Sequence, residues 1–230
     1  MGRPIVFLAG TMCNERVWES VISKLDSTNP VICKYLGSYP NWQQEIECLL
    51  EDLPDKFNLV GFSLGGIASL AILSLLPERI EQLVLVSSTA LSDPEASQSQ
   101  RRALLKKAEN SGDMTELAMM QVSDIDKKNI GSEGRQLLLD MAGYLSVEQY
   151  ACQTELACTR QDTRTALSES GIPTHLVFGS EDNACGEDKQ MLIKEVCSTA
   201  ETYKVAGAGH WLPVSHPETV ARIISRIVDE

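Results

Sequence analysis

The chain is short of several residue types, and each shortage closes off a class of function. Only 20 Lys and Arg stand against 32 Asp and Glu, a formal net charge of -12 over 230 residues. A surface that neutralises phosphates needs clustered basic side chains, so nucleic-acid binding is not expected. Acidity spread over the surface says little about a substrate and mainly favours solubility. No window reaches about 18 uninterrupted apolar residues, the length at which a membrane span is suspected. Met1-Gly2-Arg3-Pro4 leads straight into a short apolar run, without the long apolar core of a secretion signal. Neither a secretion nor a membrane segment is expected, and the expected location is cytoplasmic. The seven cysteines, Cys13, Cys33, Cys48, Cys152, Cys158, Cys185 and Cys197, are odd in number, scattered, and contain no Cys-x-x-Cys pair. Free thiols follow more naturally than a disulfide framework. Histidine is scarce too, with three in the chain, which narrows any search for a base.

What the chain does contain is a rhythm. Apolar runs at residues 5–8, 31–33, 58–62, 83–86, 175–178 and 202–205 alternate with helical stretches near 15–25, 42–53, 187–197 and 217–229, and with a helix opening at Leu64. This βαβα order predicts an α/β fold with six mainly parallel strands, both faces covered, which explains why the runs are apolar throughout. From Ser92 to Gly171 the rhythm changes. Helical periodicity appears at 95–110, 114–122, 133–144 and 147–165. A helical insertion is expected over 92–170, between core segments 1–91 and 171–230.

Chemistry is expected beyond the carboxyl ends of parallel strands, where neighbouring loops diverge. After the third run, Gly61-Phe62-Ser63-Leu64-Gly65 forms a Gly-x-Ser-x-Gly between strand and helix. Such a sharp turn lifts Ser63 toward a helix N-terminus, where free amides favour developing negative charge. Alone the pattern is weak, since a glycine-rich turn with a capping serine has the same letters. Two further loops strengthen it. Gly179-Ser180-Glu181-Asp182 brings carboxylates and Gly207-Ala208-Gly209-His210-Trp211 brings an imidazole, giving the order Ser, Asp, His. His175 starts a strand and His216 precedes Pro217 at a helix entrance, so His210 is the base of choice. Asp182 is the preferred acid, with Glu181 and Asp188 as alternatives. It would fix the His210 tautomer so that Nε2 takes the Ser63 proton. An oxyanion hole needs two N–H donors. Leu64 supplies one, and the loop after the first strand the other, from Thr11 or, as second choice, Met12.

These segments, together with Phe7-Leu8-Ala9-Gly10 and downstream Trp18, resemble the α/β-hydrolase superfamily over essentially the whole chain. The resemblance implies an α/β-hydrolase fold with Ser63, Asp182 and His210 as triad, Thr11 and Leu64 as oxyanion donors, and the insertion as a cap. Two departures stand out. Ala9 occupies the position where the family usually has His, and by the resemblance the first apolar run corresponds to the family's third strand, so its two N-terminal antiparallel strands are not expected here. Within the superfamily the chain looks like small bacterial esterases, pimeloyl-carrier methyl ester esterases, menaquinone-pathway synthases and enol-lactonases. The expected function is a serine hydrolase cleaving a small or medium carboxylic ester or thioester through an acyl-enzyme, without cofactor or metal. A lyase or carbon–carbon hydrolase using the same triad is the alternative, and a non-catalytic binding protein a third reading. Met12 and Trp211 are expected at the substrate. The Leu and Met residues of the insertion read mostly as its own core, and those that face Ser63 would favour an apolar acyl or alkyl group.

Overall fold

The computed structural model describes residues 2–229. Six strands, β1 (Ile5–Leu8), β2 (Val31–Lys34), β3 (Phe57–Phe62), β4 (Ile80–Val86), β5 (Thr174–Gly179) and β6 (Glu201–Val205), form one sheet in the order β2-β1-β3-β4-β5-β6. All its pairings are parallel. The chain starts in the middle and winds outward in both directions, so β1 and β3 flank the topological switch point, where loops diverge and ligands bind. Register brings the strand ends level. Leu8 pairs with Gly61, Phe62 with Val86, Val86 with Val177, and Gly179 with Val205.

Alternate residues of each strand feed two cores. Ile5, Phe7, Val60, Phe62, Val84, Val86 and Val177 face α1 (Glu19–Ile22), the short α10 (Leu212–Ser215) and the last helix, α11 (Pro217–Val228). Val220, Ala221, Ile224 and Ile227 line the buried stripe of α11 at helical spacing. Val6, Leu8, Leu59, Leu83, Leu85 and Leu176 face the other way, onto α2 (Trp42–Leu50), α3 (Leu64–Leu75), α8 (Arg164–Ser170) and α9 (Glu187–Val196). Trp18 is fully buried against Phe7, with ring centroids 4.9 Å apart, and its indole N–H donates to the Leu8 carbonyl at 3.3 Å. It therefore packs β1 and satisfies its last carbonyl at once.

Between β4 and β5 lie α4 (Glu95–Ser111), α5 (Met114–Met120), α6 (Asp124–Tyr144) and α7 (Val147–Thr159). Two boundaries differ from those the periodicity suggests. α6 begins nine residues before position 133 and bends at Gly131, whose φ of 64° and ψ of -163° would strain any other residue. The expected helix over 147–165 is two helices, α7 and α8. The chain breaks because Ala90 and Leu91, just after β4, draw it aside: the Leu91 carbonyl accepts from Arg160 Nε at 2.9 Å and the Ala90 carbonyl from the Thr163 amide at 2.9 Å. Leu167 of α8 joins the core against α3 and α9, so α8 sits beside the sheet. All seven cysteines are free. Among the described residues no helix is long and apolar enough to cross a membrane.

Candidate active site

Ser63 sits between β3 and α3 with φ 52° and ψ -114°, a conformation that costs on the order of 1–3 kcal/mol for a residue with a side chain. Its surroundings tolerate no alternative. A Cβ on Gly61 would collide with the Gly65 carbonyl, one on Gly65 with the Leu8 carbonyl, and one on Gly66 with the Ser88 hydroxyl. Hydrogen bonds lock the turn. The Ser63 amide donates to Val86, while its carbonyl accepts from the amides of Gly66 and Ile67 and from Ser88 Oγ at 2.8 Å. Among the described residues the Leu64 N–H donates to no protein acceptor, which leaves it free at the helix N-terminus.

His210 comes from the loop after β6, and its Nε2 accepts from Ser63 Oγ at 3.0 Å. Its Nδ1 donates to Asp182 Oδ2 at 2.9 Å. The Asp182 side chain is completely buried, and its other oxygen accepts the amides of Ala184 and Cys185, both at 2.8 Å. Burial pushes the Asp182 carboxyl up, but His210 and the two amides outweigh it and leave the group below the ordinary carboxylate value. Gly179 lets this loop meet the next, since a Cβ there would strike the Ala208 and Gly209 carbonyls. Glu181 points away to Ser180, and Asp188 lies in the first turn of α9. The nearby Cys185 thiol is pushed up to about 12, chiefly by burial, so it stays protonated and unreactive.

The loop after β1 supplies the remaining geometry. Met12 has φ 58°, and its amide donates to Gln153 Oε1 at 2.9 Å, so it is not free to donate to a ligand. Among the described residues the Thr11 amide donates to no protein acceptor, so of the two loop amides it is the one left without a protein partner. Gln153, on α7, is fully buried and donates its Nε2 to the Leu36 carbonyl at 2.7 Å. The Leu36 turn is itself gathered by buried Glu45, which accepts the Gly37 amide at 2.8 Å and the Tyr39 amide at 2.7 Å. Burial pushes the Glu45 carboxyl up, and those amides oppose the shift. Nothing in a sequence scan for acids and bases flags Gln153. The available signal is its place on the buried stripe Tyr150, Gln153, Thr154, Ala157, where a long polar side chain needs partners.

Asp126, on α6, was equally hidden. Its Ser-x-x-Asp context reads as helix capping, and Ser123 does accept the Asp126 amide. The buried carboxylate also accepts the Trp211 amide at 3.1 Å, next to His210, and only a glycine at 209 leaves room for it. Met12 and Trp211, expected at the substrate, are both packed. Met12 joins Ala108, Met114, Leu117 and Tyr150, and Trp211 stacks near Phe62 with centroids 5.5 Å apart. Neither lines the cavity of about 180 Å³ that adjoins Thr11. His175 bonds Gln82, and His216 bonds Ser215 at the entrance of α11, so neither joins the relay. A larger depression of about 800 Å³ beside Arg16 and Asp140 is lined by none of the relay residues. Among the described residues no group of three or more His, Cys, Asp or Glu could hold a metal ion.

Comparison with known proteins bears on the whole chain. The model of the alpha/beta hydrolase family matches residues 5–223. The biotin biosynthesis bifunctional protein BioHC of Teredinibacter turnerae is 24% identical over 96% of this chain and 44% of its own length. A pimeloyl-[acyl-carrier protein] methyl ester esterase of Legionella pneumophila is 28% identical over 38% of this chain and 39% of its own. The chain thus spans less than half the length of these curated relatives. The enol-lactonase from Burkholderia xenovorans superposes with a TM-score of 0.87 at 18% identity, over 100% of this chain and 92% of that one. At such identity the likeness speaks for the fold alone.

Proposed function

This chain belongs to the alpha/beta hydrolase family, and on that premise we propose that it cleaves a small or medium carboxylic ester or thioester through Ser63, His210 and Asp182. The observation that carries the reading is the unbroken relay from Asp182 Oδ2 to His210 Nδ1 at 2.9 Å and from His210 Nε2 to Ser63 Oγ at 3.0 Å. Asp182 keeps the imidazole proton on Nδ1, so Nε2 has a lone pair for the serine proton. Ser63 Oγ attacks the carbonyl, and the oxyanion is met by the N–H groups of Leu64 and Thr11. His210 then gives its new proton to the leaving oxygen or sulfur. Water, deprotonated by the same imidazole, releases the acid and frees Ser63. The relatives named as methyl ester esterases support an ester as the substrate class.

The test is covalent labelling with a fluorophosphonate, combined with turnover of p-nitrophenyl esters of graded acyl length. Wild-type protein should label and turn over, and Ser63→Ala should do neither. Undiminished labelling of the alanine variant would reject Ser63. Labelling without turnover of any ester or thioester would shift the reading to proton abstraction in a lyase.

A further inference from the structure

The cavity beside Thr11 has the wrong lining for a purely apolar acyl group. Ser97, Gln100 and Arg101 of α4 face Tyr150 and Thr154 of α7 across it, and Leu104 and Ala157 are its apolar members. At about 180 Å³ it is smaller than the roughly 300–1,000 Å³ of a whole-ligand pocket, so it takes one arm of a substrate.

Charge decides which arm. Asp93, fully buried at its side chain, pairs with two guanidinium groups: Arg160 Nη1 at 2.7 Å and Arg101 Nε at 3.1 Å. Two cations share one anion, and arginine does not give up its proton at working pH. One positive charge is left over. Arg160 is spoken for, since it is buried and donates to the Leu91 and Ala157 carbonyls. Arg101 is 35% exposed and lines the cavity, and among the described residues its two terminal nitrogens donate to no protein acceptor. Asp93 thereby holds the guanidinium by Nε and leaves its two terminal nitrogens, a fork that matches a carboxylate, for a group entering the cavity that Arg101 lines. Gln100, Ser97 and Thr154 add neutral donors, and no carboxylate lines the cavity to compete.

The direction of the arm follows from the relay. The leaving atom must stay beside His210 Nε2 to receive its proton, and neither His210 nor Ser63 lines the cavity, whereas Thr11 does. The group that enters past Thr11 is therefore the acyl side. We infer that the preferred substrate is an ester or thioester whose acyl chain ends in a carboxylate seated on Arg101, a half-ester of a short dicarboxylic acid. The inference rests on the ester-cleaving reading above and adds its substrate class.

Monomethyl glutarate and monomethyl adipate, each against the neutral methyl ester of equal chain length, supply the test. The wild type should favour the anionic member in kcat/KM by about tenfold or more, the scale of a hydrogen bond to a charged group. Arg101→Gln should collapse that ratio at least as far. Gln100→Glu, which leaves the Asp93 pairs intact, should lower it through KM and keeps the test valid if Arg101→Gln misfolds. Equal rates on both members in the wild type, or a ratio unmoved by both variants, would overturn the inference while leaving ester cleavage standing. Failure of Ser63 to label would instead strike the parent reading. In that event thermal stabilisation of the protein by adipate, expected in the wild type and absent in Arg101→Gln, still decides whether the anion site exists.

Discussion

Replacing Gln153 by leucine removes a side chain that never touches the reacting atoms, yet its effect should be seen in turnover. In the wild type Gln153 is fully buried and makes two bonds, accepting the Met12 amide at 2.9 Å and donating to the Leu36 carbonyl at 2.7 Å. Leucine is similar in size but leaves both backbone groups buried and unpaired, at about 1–3 kcal/mol each. The sum, about 2–6 kcal/mol, is a large part of a typical domain's 5–15 kcal/mol and should appear as a lower urea midpoint. Met12 holds a φ of 58°, a left-handed conformation that is costly for any residue other than glycine, and its amide is held there by that bond. Once it relaxes, the adjoining Thr11 N–H, the proposed oxyanion donor, should turn away. Complete loss of one such donor costs about 10²–10³ in kcat, so a fall of at least about tenfold is expected with KM little changed. Gln153→Glu keeps the acceptor for Met12 and loses the donor to Leu36, so it should recover more of kcat than of stability. The assay is p-nitrophenyl ester turnover beside urea denaturation of all three proteins. A lowered midpoint with kcat within about twofold of wild type would refute the reasoning and reduce Gln153 to a strut.

The remaining expectations concern the relay and its turn. Asp182→Asn should lower kcat by on the order of 10⁴-fold, because an amide can stabilise the wrong tautomer, and a loss below about tenfold would redirect the acid role. The same variant carries a stability signature. The native carboxyl ionises below its ordinary value of 3.8, so its contribution is complete above that value and disappears as pH falls through the lowered one. Wild-type protein should therefore lose stability more steeply than Asp182→Asn as pH drops below 3.8, read from urea midpoints, and parallel curves would contradict the sign. Gly65→Ala drives a Cβ into the Leu8 carbonyl, a backbone atom that cannot swing aside, so at least about 1–3 kcal/mol of destabilisation is expected. An unchanged urea midpoint and unchanged turnover would show that β1 and α3 have more slack than the packing allows.

How much of this was legible in the sequence follows from how local each signal is. The apolar runs gave all six strands because buried parallel strands need no partner to declare themselves, and the parallel order followed from the helices between them. Ser63, Asp182 and His210 lie tens of residues apart, yet each is announced by its own glycine-rich strand end. The supporting residues carry no such announcement. Gln153 acts across 141 positions on Met12, and Asp126 across 85 on Trp211, from helices whose periodicity concerns their own packing. The split of the 147–165 stretch into α7 and α8 was illegible for the same reason: it depends on the carbonyls of Ala90 and Leu91, which periodicity within the stretch does not contain. The polar lining near Thr11 was not legible because helical spacing marks the Leu and Met residues of the insertion as its apolar faces, whereas Arg101 and Gln100 face the cavity by position.

Ala9 connects these observations. Where the wider superfamily usually carries a histidine beside its first-strand glycine, this chain has a methyl group, which can hold no neighbouring loop by hydrogen bonding. The first loop must then be fixed from elsewhere. Trp18 satisfies Leu8 from below, and Gln153 reaches down from α7 to the Met12 amide. Asp126 does the equivalent from α6 for the loop of His210, and Arg160 and Thr163 do so for the segment after β4 that carries Ser88 toward Ser63. Three loops of the candidate site are thus each tied to the inserted helices by a buried or half-buried hydrogen bond. An insertion bound in this way does more than cover a pocket. Its helices set the direction of groups that the sheet alone leaves loose, so the geometry of the core and the shape of the cavity beside Thr11 cannot vary independently. Arg101 and Gln153 both line that one cavity, so in the proposed complex the first would meet the far end of the acyl chain and the second would steady the turn beside its carbonyl.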